Sequence, residues 1–164
     1  MMVQYWLFKS EPTTFSIDDL DASPRKTTCW EGVRNYQARN FLKSMNVGDL
    51  GFFYHSNTDP PAIVGIVKVV KAAYPDAFAF DSSSRYFDPR SSPDSPCWFL
   101  VDVQFVKKFS QPLPLDQLRT VKGLEKMELL RKGSRLSIQP VRPEEWQRVL
   151  DVVQNNTEHS SAPK

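Results

Sequence analysis

The chain reads as an α+β domain in which strands outnumber helices. β-branched and aromatic runs at 50–55, 62–70 and 98–109 read as strands, while apolar residues over 35–45 and from Pro143 onward fall at helical spacing. At 164 residues and 40% hydrophobic content the chain can bury one core without disulfide support. One domain is therefore expected over 1–154, and the polar segment 155–164, NNTEHSSAPK, is expected to be a flexible tail.

Residues 4–8 alternate and are rich in aromatics, which predicts a first strand with Lys9 and Ser10 at its end. Ser16-Ile17-Asp18-Asp19 has the form of a capping box and opens a short helix. Between 35 and 45, Tyr36, Ala38, Phe41, Leu42 and Met45 share one face, Asn35 is a good N-cap, and Asn46-Val47-Gly48-Asp49 ends the element. Arg34 and Asn35 thus mark a helix N-terminus. Strands 50–55 and 62–70, joined through Pro60-Pro61, form a hairpin, and 74–96 is a long loop that carries Phe78, Phe80, Tyr86 and Phe87. A strand follows at 98–109, short helices at 115–119 and 124–132, the latter stopped by Gly133, and a last strand at 136–141. From Pro143 a final helix puts Trp146, Val149, Leu150 and Val153 on one face, although Arg142 is a poor N-cap.

The formal charge of +2 means that any nucleic-acid contact is local and shaped, not a coat of positive charge. Cys29 and Cys97 lack CxxC spacing, which fits a reducing compartment and an intracellular protein: nuclear in a eukaryote, cytoplasmic in a bacterium. No apolar run reaches the ~18 residues of a membrane span, so no membrane partner is expected. Cys29 with His55 lacks an oxyanion-hole motif, so no catalytic residue is assigned. The acids Asp18-Asp19 and Glu144-Glu145 sit at helix starts, where they complement the dipole; no metal and no cofactor are expected, and no phosphate-loop fingerprint occurs.

The segment TTCWEGVRNYQARNFL is the least core-like part of the chain. Trp30 is followed by Glu31, Gly32, Arg34 and Asn35, so its ring is either ligand-facing or core. Tyr54 and Trp6 carry the same two readings, and His55 either points into a pocket or bonds nearby backbone. Lys9, Arg34, Arg39 and Arg135 are either solvated surface or phosphate contacts.

YWLFKSEP, FSIDDL, WEGVRNYQARNFL, FFYHSN, IVGIVKVV, AYPD, VDVQFV and RLSIQPV, in this order, resemble an EVE domain over residues 5–153. The resemblance implies a PUA-like fold, a small mixed β-barrel flanked by short helices, and the reading of a modified base, modified cytosine in DNA first. EVE domains in turn are similar to YTH domains, whose lysine-serine pair matches Lys9 and Ser10 and whose first cage tryptophan matches Trp30. The second ring of that cage falls in the loop 74–96, where Tyr86 or Phe87 would supply it. The expected function is non-enzymatic binding of a flipped modified base. Trp30 and Tyr86, with Tyr54, form the aromatic part of the expected site. Ser10, Asn35, His55 and Ser56 offer hydrogen bonds to the base edge, and Lys9, Arg34, Arg39 and Arg135 contact phosphate. A small-molecule or anion sensor using the same pocket, or a reader of modified RNA, are the alternatives.

Overall fold

In the computed structural model of the chain, which describes residues 2–161, the strands are β1 (Tyr5–Ser10), β2 (Thr27–Cys29), β3 (Leu50–His55), β4 (Ala62–Pro75), β5 (Phe99–Pro114) and β6 (Ile138–Val141). They make one mixed sheet in the order β2-β5-β4-β3-β1-β6. The pair β1–β3 is parallel, with Tyr5 opposite Leu50 and Ser10 opposite His55, and every other pairing is antiparallel. The helices are α1 (Ile17–Asp21), α2 (Tyr36–Ser44), α3 (Leu115–Leu118) and α4 (Pro143–Ser161).

The α+β class is as expected, but the sheet is open, not a closed barrel. Its edge strands β2 and β6 have three and four residues, and α2 packs against β4, β5 and β6 where closure would occur. Register shifts between β4 and β5 at Ile63/Gly65, Ile66/Val67, Val69/Lys71 and Lys71/Tyr74 bend the two long strands instead. Gly65 permits one of these, because a side chain there would run into the carbonyl of Lys107.

Both faces of the sheet are covered, and the period of two along the strands sorts side chains between them. Trp6, Phe8 and Phe53 join Ala38 and Leu42 of α2 on one face. Leu7, Phe52 and Tyr54 join Leu118 of α3 and Trp146, Val149 and Val153 of α4 on the other. The Trp146 ring lies stacked on Phe52, with centroids 3.9 Å apart. The caps follow the sequence reading: Ser16 and Asp19 exchange hydrogen bonds of 3.1 and 2.8 Å, and Asn35 Oδ1 accepts from the Ala38 N–H at 2.9 Å. At α4, where Arg142 has no capping side chain, the Arg142 N–H donates to Glu145 Oε1 at 3.0 Å.

Three elements differ from expectation. β2 is a short edge strand not read from the sequence, held by pairing with β5. The helix expected at 124–132 is a chain of turns with one 3-10 turn, Glu128–Leu130, because Leu124, Met127 and Leu129 each insert into the core. Of the tail expected at 155–164, residues 155–161 continue α4, and 162–164 lie outside the described residues. A packed first half propagates a helix through polar residues at little cost, and Asn156 exchanges two side-chain hydrogen bonds, 3.1 and 3.2 Å, with Gln117 of α3.

Candidate functional site

A cleft of about 400 Å³ opens where the end of β1, the segment after β2 and the 81–88 loop meet. Strand β1 brings Lys9 and Ser10 to it, and the segment after β2 brings Trp30, Glu31, Gly32 and Arg34; Arg85 and Tyr86 come from the loop and Ser137 from ahead of β6. Trp30 belongs to the core and also borders the cleft. It is 8% exposed and sits edge-on to Phe8 and Phe53, with centroids 5.2 and 5.5 Å away, while its remaining surface lines the cleft. The Trp30 backbone N–H donates to the Val101 carbonyl at 2.8 Å, which ties the segment to β5.

Tyr86 lines the cleft, whereas Phe87 is 41% exposed and does not. Tyr86 lies against Gly32, where a Cβ would come within 2.5 Å of the ring and where φ is +84°, so glycine is required twice over. The exposed Arg85 guanidinium covers the Tyr86 ring at 4.7 Å and donates to its hydroxyl.

Arg34 lines the cleft but is held within the fold. Its guanidinium donates four hydrogen bonds: two to the Tyr86 carbonyl at 2.7 and 3.2 Å, one to the Val33 carbonyl and one to Asp76 Oδ2, both at 3.0 Å. Asp76 is fully buried and also accepts from the Gly32 N–H and the Phe78 N–H, each at 3.0 Å. The Arg34–Asp76 pair therefore fixes the aromatic loop onto the Trp30 segment. Asp76 escaped the sequence reading, although an aspartate inside the apolar stretch AYPDAFAF is a signal, since a carboxylate buried there needs donors.

Other expected site residues lie elsewhere. Asn35 is committed to capping α2. Tyr54 is buried in the core beneath α4, where desolvation raises its pKa. His55 takes the backbone option: its Nε2 accepts from the Ile17 N–H at 3.1 Å. Ser56 donates its N–H to the Ser10 carbonyl at 3.0 Å and does not line the cleft. Arg39 donates to the Cys97 carbonyl at 2.9 Å and covers the Tyr36 ring at 4.9 Å, outside the cleft. Arg135 is exposed, two residues before Ser137.

Of the cleft groups, Lys9 is half-buried, and loss of hydration lowers its ammonium pKa, with Glu128 pulling the other way. Its Nζ lies 6.0 Å from the Tyr54 ring centroid. Ser10 donates its hydroxyl to the Phe15 carbonyl at 2.6 Å. Burial and the neighbouring Glu31 push the Cys29 thiol up to about 11, so it stays protonated and is a poor nucleophile. Among the described residues no group of three or more His, Cys, Asp or Glu gathers that could hold a metal, and no helix is long and apolar enough to cross a membrane.

Residues 4–152 match the EVE domain family. The chain belongs to that family. Thymocyte nuclear protein 1 of Mus musculus is 46% identical, over 90% of this chain and 73% of its own length. A hypothetical protein from Leishmania major superposes with a TM-score of 0.90 at 44% identity, covering 95% of this chain and 98% of the other. Human THYN1 in complex with 5-methylcytosine-containing DNA superposes with a TM-score of 0.86 at 45% identity, covering 92% of this chain and 98% of the other. In this EVE domain the cleft lies at the end of β1, bordered by the loop that carries Arg85 and Tyr86.

Proposed function

We propose that this EVE domain binds DNA that carries a modified base, 5-methylcytosine first, and holds that base out of the stack in the cleft. One observation supports this most: a cleft of about 400 Å³ joins two aromatic rings, Trp30 and Tyr86, to the polar groups of Lys9, Ser10 and Glu31. That size falls in the range of small-molecule sites. Human THYN1, 45% identical, in complex with DNA containing 5-methylcytosine supports the same ligand class. Extruding a base costs a few kcal/mol, and stacking on each aromatic ring returns roughly 1–3 kcal/mol. Backbone contacts supply the rest, from Lys9, Arg85 and Arg135 in preference to Arg34, whose donors are engaged. The domain binds and does not turn its ligand over; in a eukaryote its place of action is the nucleus and in a bacterium the cytoplasm.

The test is a fluorescence-anisotropy titration of duplexes with one cytosine, 5-methylcytosine, 5-hydroxymethylcytosine or N6-methyladenine, together with the free nucleosides. Trp30→Ala should abolish discrimination. Because Trp30 is also core and its truncation costs about 3–5 kcal/mol of stability, Tyr86→Ala at the rim is the cleaner variant. It keeps the backbone carbonyl that Arg34 uses. Weaker binding of the modified duplex by Tyr86→Ala, with oligonucleotide mass unchanged after incubation, is the expected outcome. Equal affinity for all four bases, or nucleosides binding as tightly as duplexes, overturns the reading.

A further inference from the structure

We propose that Glu31 selects the base that the cleft accepts by taking a hydrogen bond from its exocyclic amino group, so that 5-methylcytosine is favoured over thymine. This rests on the reading of the cleft as a base site. Glu31 lines the cleft and is partly buried. Among the described residues its only hydrogen-bond partner is the Cys29 thiol, 3.5 Å from Oε2, a weak donor. Three cations line the same cleft and none is ion-paired with Glu31 among the described residues; Arg34 is held by Asp76 and the Tyr86 carbonyl. Arg85 turns to the Tyr86 ring and hydroxyl, and Lys9 lies toward Tyr54. Oε1 thus has no hydrogen-bond partner among the described residues, and Arg85 acts on Glu31 only as a nearby favourable charge.

Ser10 adds to the asymmetry. Its only hydroxyl hydrogen goes to the Phe15 carbonyl at 2.6 Å, so toward the cleft its Oγ can only accept. Glu31, next to Trp30 in the chain, and Ser10 are therefore acceptors in the cleft lining, which the exposed Glu11 also joins. Cytosine carries a 4-amino donor, which a carboxylate matches. Thymine has the same 5-methyl group and nearly the same shape, but carries an oxygen at that position. In the same pose it would set O4 against the Glu31 carboxylate and lose that hydrogen bond, its N3–H donor lying one position further along the edge. Stacking cannot make this distinction, because every base has a π-face. Adenine also carries an amino group, so Glu31 separates amino-bearing from oxo-bearing bases and leaves the choice of ring size to the walls.

The test uses duplexes in which 5-methylcytosine or thymine stands opposite an abasic site, so that neither base must break a pair to leave the stack. The wild-type domain should prefer 5-methylcytosine by roughly tenfold or more, the scale of one base-edge hydrogen bond exchanged for a repulsion. Glu31→Gln, whose amide can present either a donor or an acceptor, should bring the two affinities to within about threefold by binding thymine more tightly. Glu31→Ala should weaken 5-methylcytosine binding and, by removing the repulsion, tighten thymine binding. Tyr86→Ala should weaken both and preserve their ratio. A wild-type ratio near one, or a ratio unchanged in both Glu31 variants, overturns the role of Glu31; if Tyr86→Ala still weakens binding in that case, the base cleft itself stands. If Tyr86→Ala changes neither affinity, the base cleft falls and this inference falls with it.

Discussion

Asp76 shows how one buried charge can govern a cleft that it does not line. Its carboxylate gathers the Gly32 and Phe78 amides and the Arg34 guanidinium, and Arg34 in turn holds the Tyr86 carbonyl. Replacing it by asparagine puts an amide against these donors and leaves Arg34, 23% exposed, without its counter-charge. Asp76→Asn should lower stability by about 3 kcal/mol, the cost of breaking a buried pair, and should weaken base binding as Tyr86 loses its support. Urea denaturation checks the first effect; an unchanged midpoint would remove the clamp from the account. The same pair shows why the engagement of Arg34 within the fold was not legible in the sequence. An arginine before a helix start has the chemistry of a phosphate contact, and the partner that engages it lies 42 positions away. Trp30, Lys9, Ser10 and Tyr86 do meet in one cleft, and their residue types offered rings and polar groups wherever the chain turned. His55 and Asn35 were half legible: both are bound to backbone, an option their residue types always hold open.

The junction of β3 with α1 depends on a neutral histidine. His55 Nε2 accepts from the Ile17 N–H in the first turn of α1, and burial lowers the imidazole pKa below its usual value. Asp18 and Asp19 nearby pull it up, and Lys108 pushes it down. With the folded pKa below the unfolded one, the unfolded chain binds the extra proton first. The contribution of His55 is therefore complete above about pH 6.5, the ordinary histidine pKa, and is lost as the pH falls through the folded value. Melting temperature should decline from pH 7.5 to 5 more steeply in the wild type than in His55→Gln, whose amide oxygen can accept the same bond without titrating. Parallel declines would exclude the histidine as their source. Among the elements, strands and capped helices were readable because alternation and caps are local. The turns at 124–130 were not, since apolar residues there fall near helical spacing while each packs into the core separately. β2 was missed for a related reason: three residues carry no periodicity, and only β5 makes them a strand.

Taken whole, the molecule has a net charge of only +2 and a few cations near the cleft: Lys9 and Arg85 in its lining and the exposed Arg135 close by. Three phosphate contacts would give a slope of about −3 in log affinity against log salt, at roughly −0.9 per phosphate. Anisotropy titrations across a salt series should return that value, with Arg85→Ala shallower by about one; a slope near −7 would mean a broad electrostatic footprint that this surface lacks. The amino-acid order alone determined the class of the domain, its family and the residue types available for a base, because hydrophobic period, caps and motifs are written along the chain. Only the tertiary structure decided that the sheet stays open, that Tyr86 and not Phe87 joins Trp30 at the cleft, and that Arg34 is held by Asp76 while Glu31 is not held by any cation among the described residues. These outcomes depend on groups far apart in sequence competing for the same partners, and which donor reaches which acceptor is settled when the sheet and its loops pack.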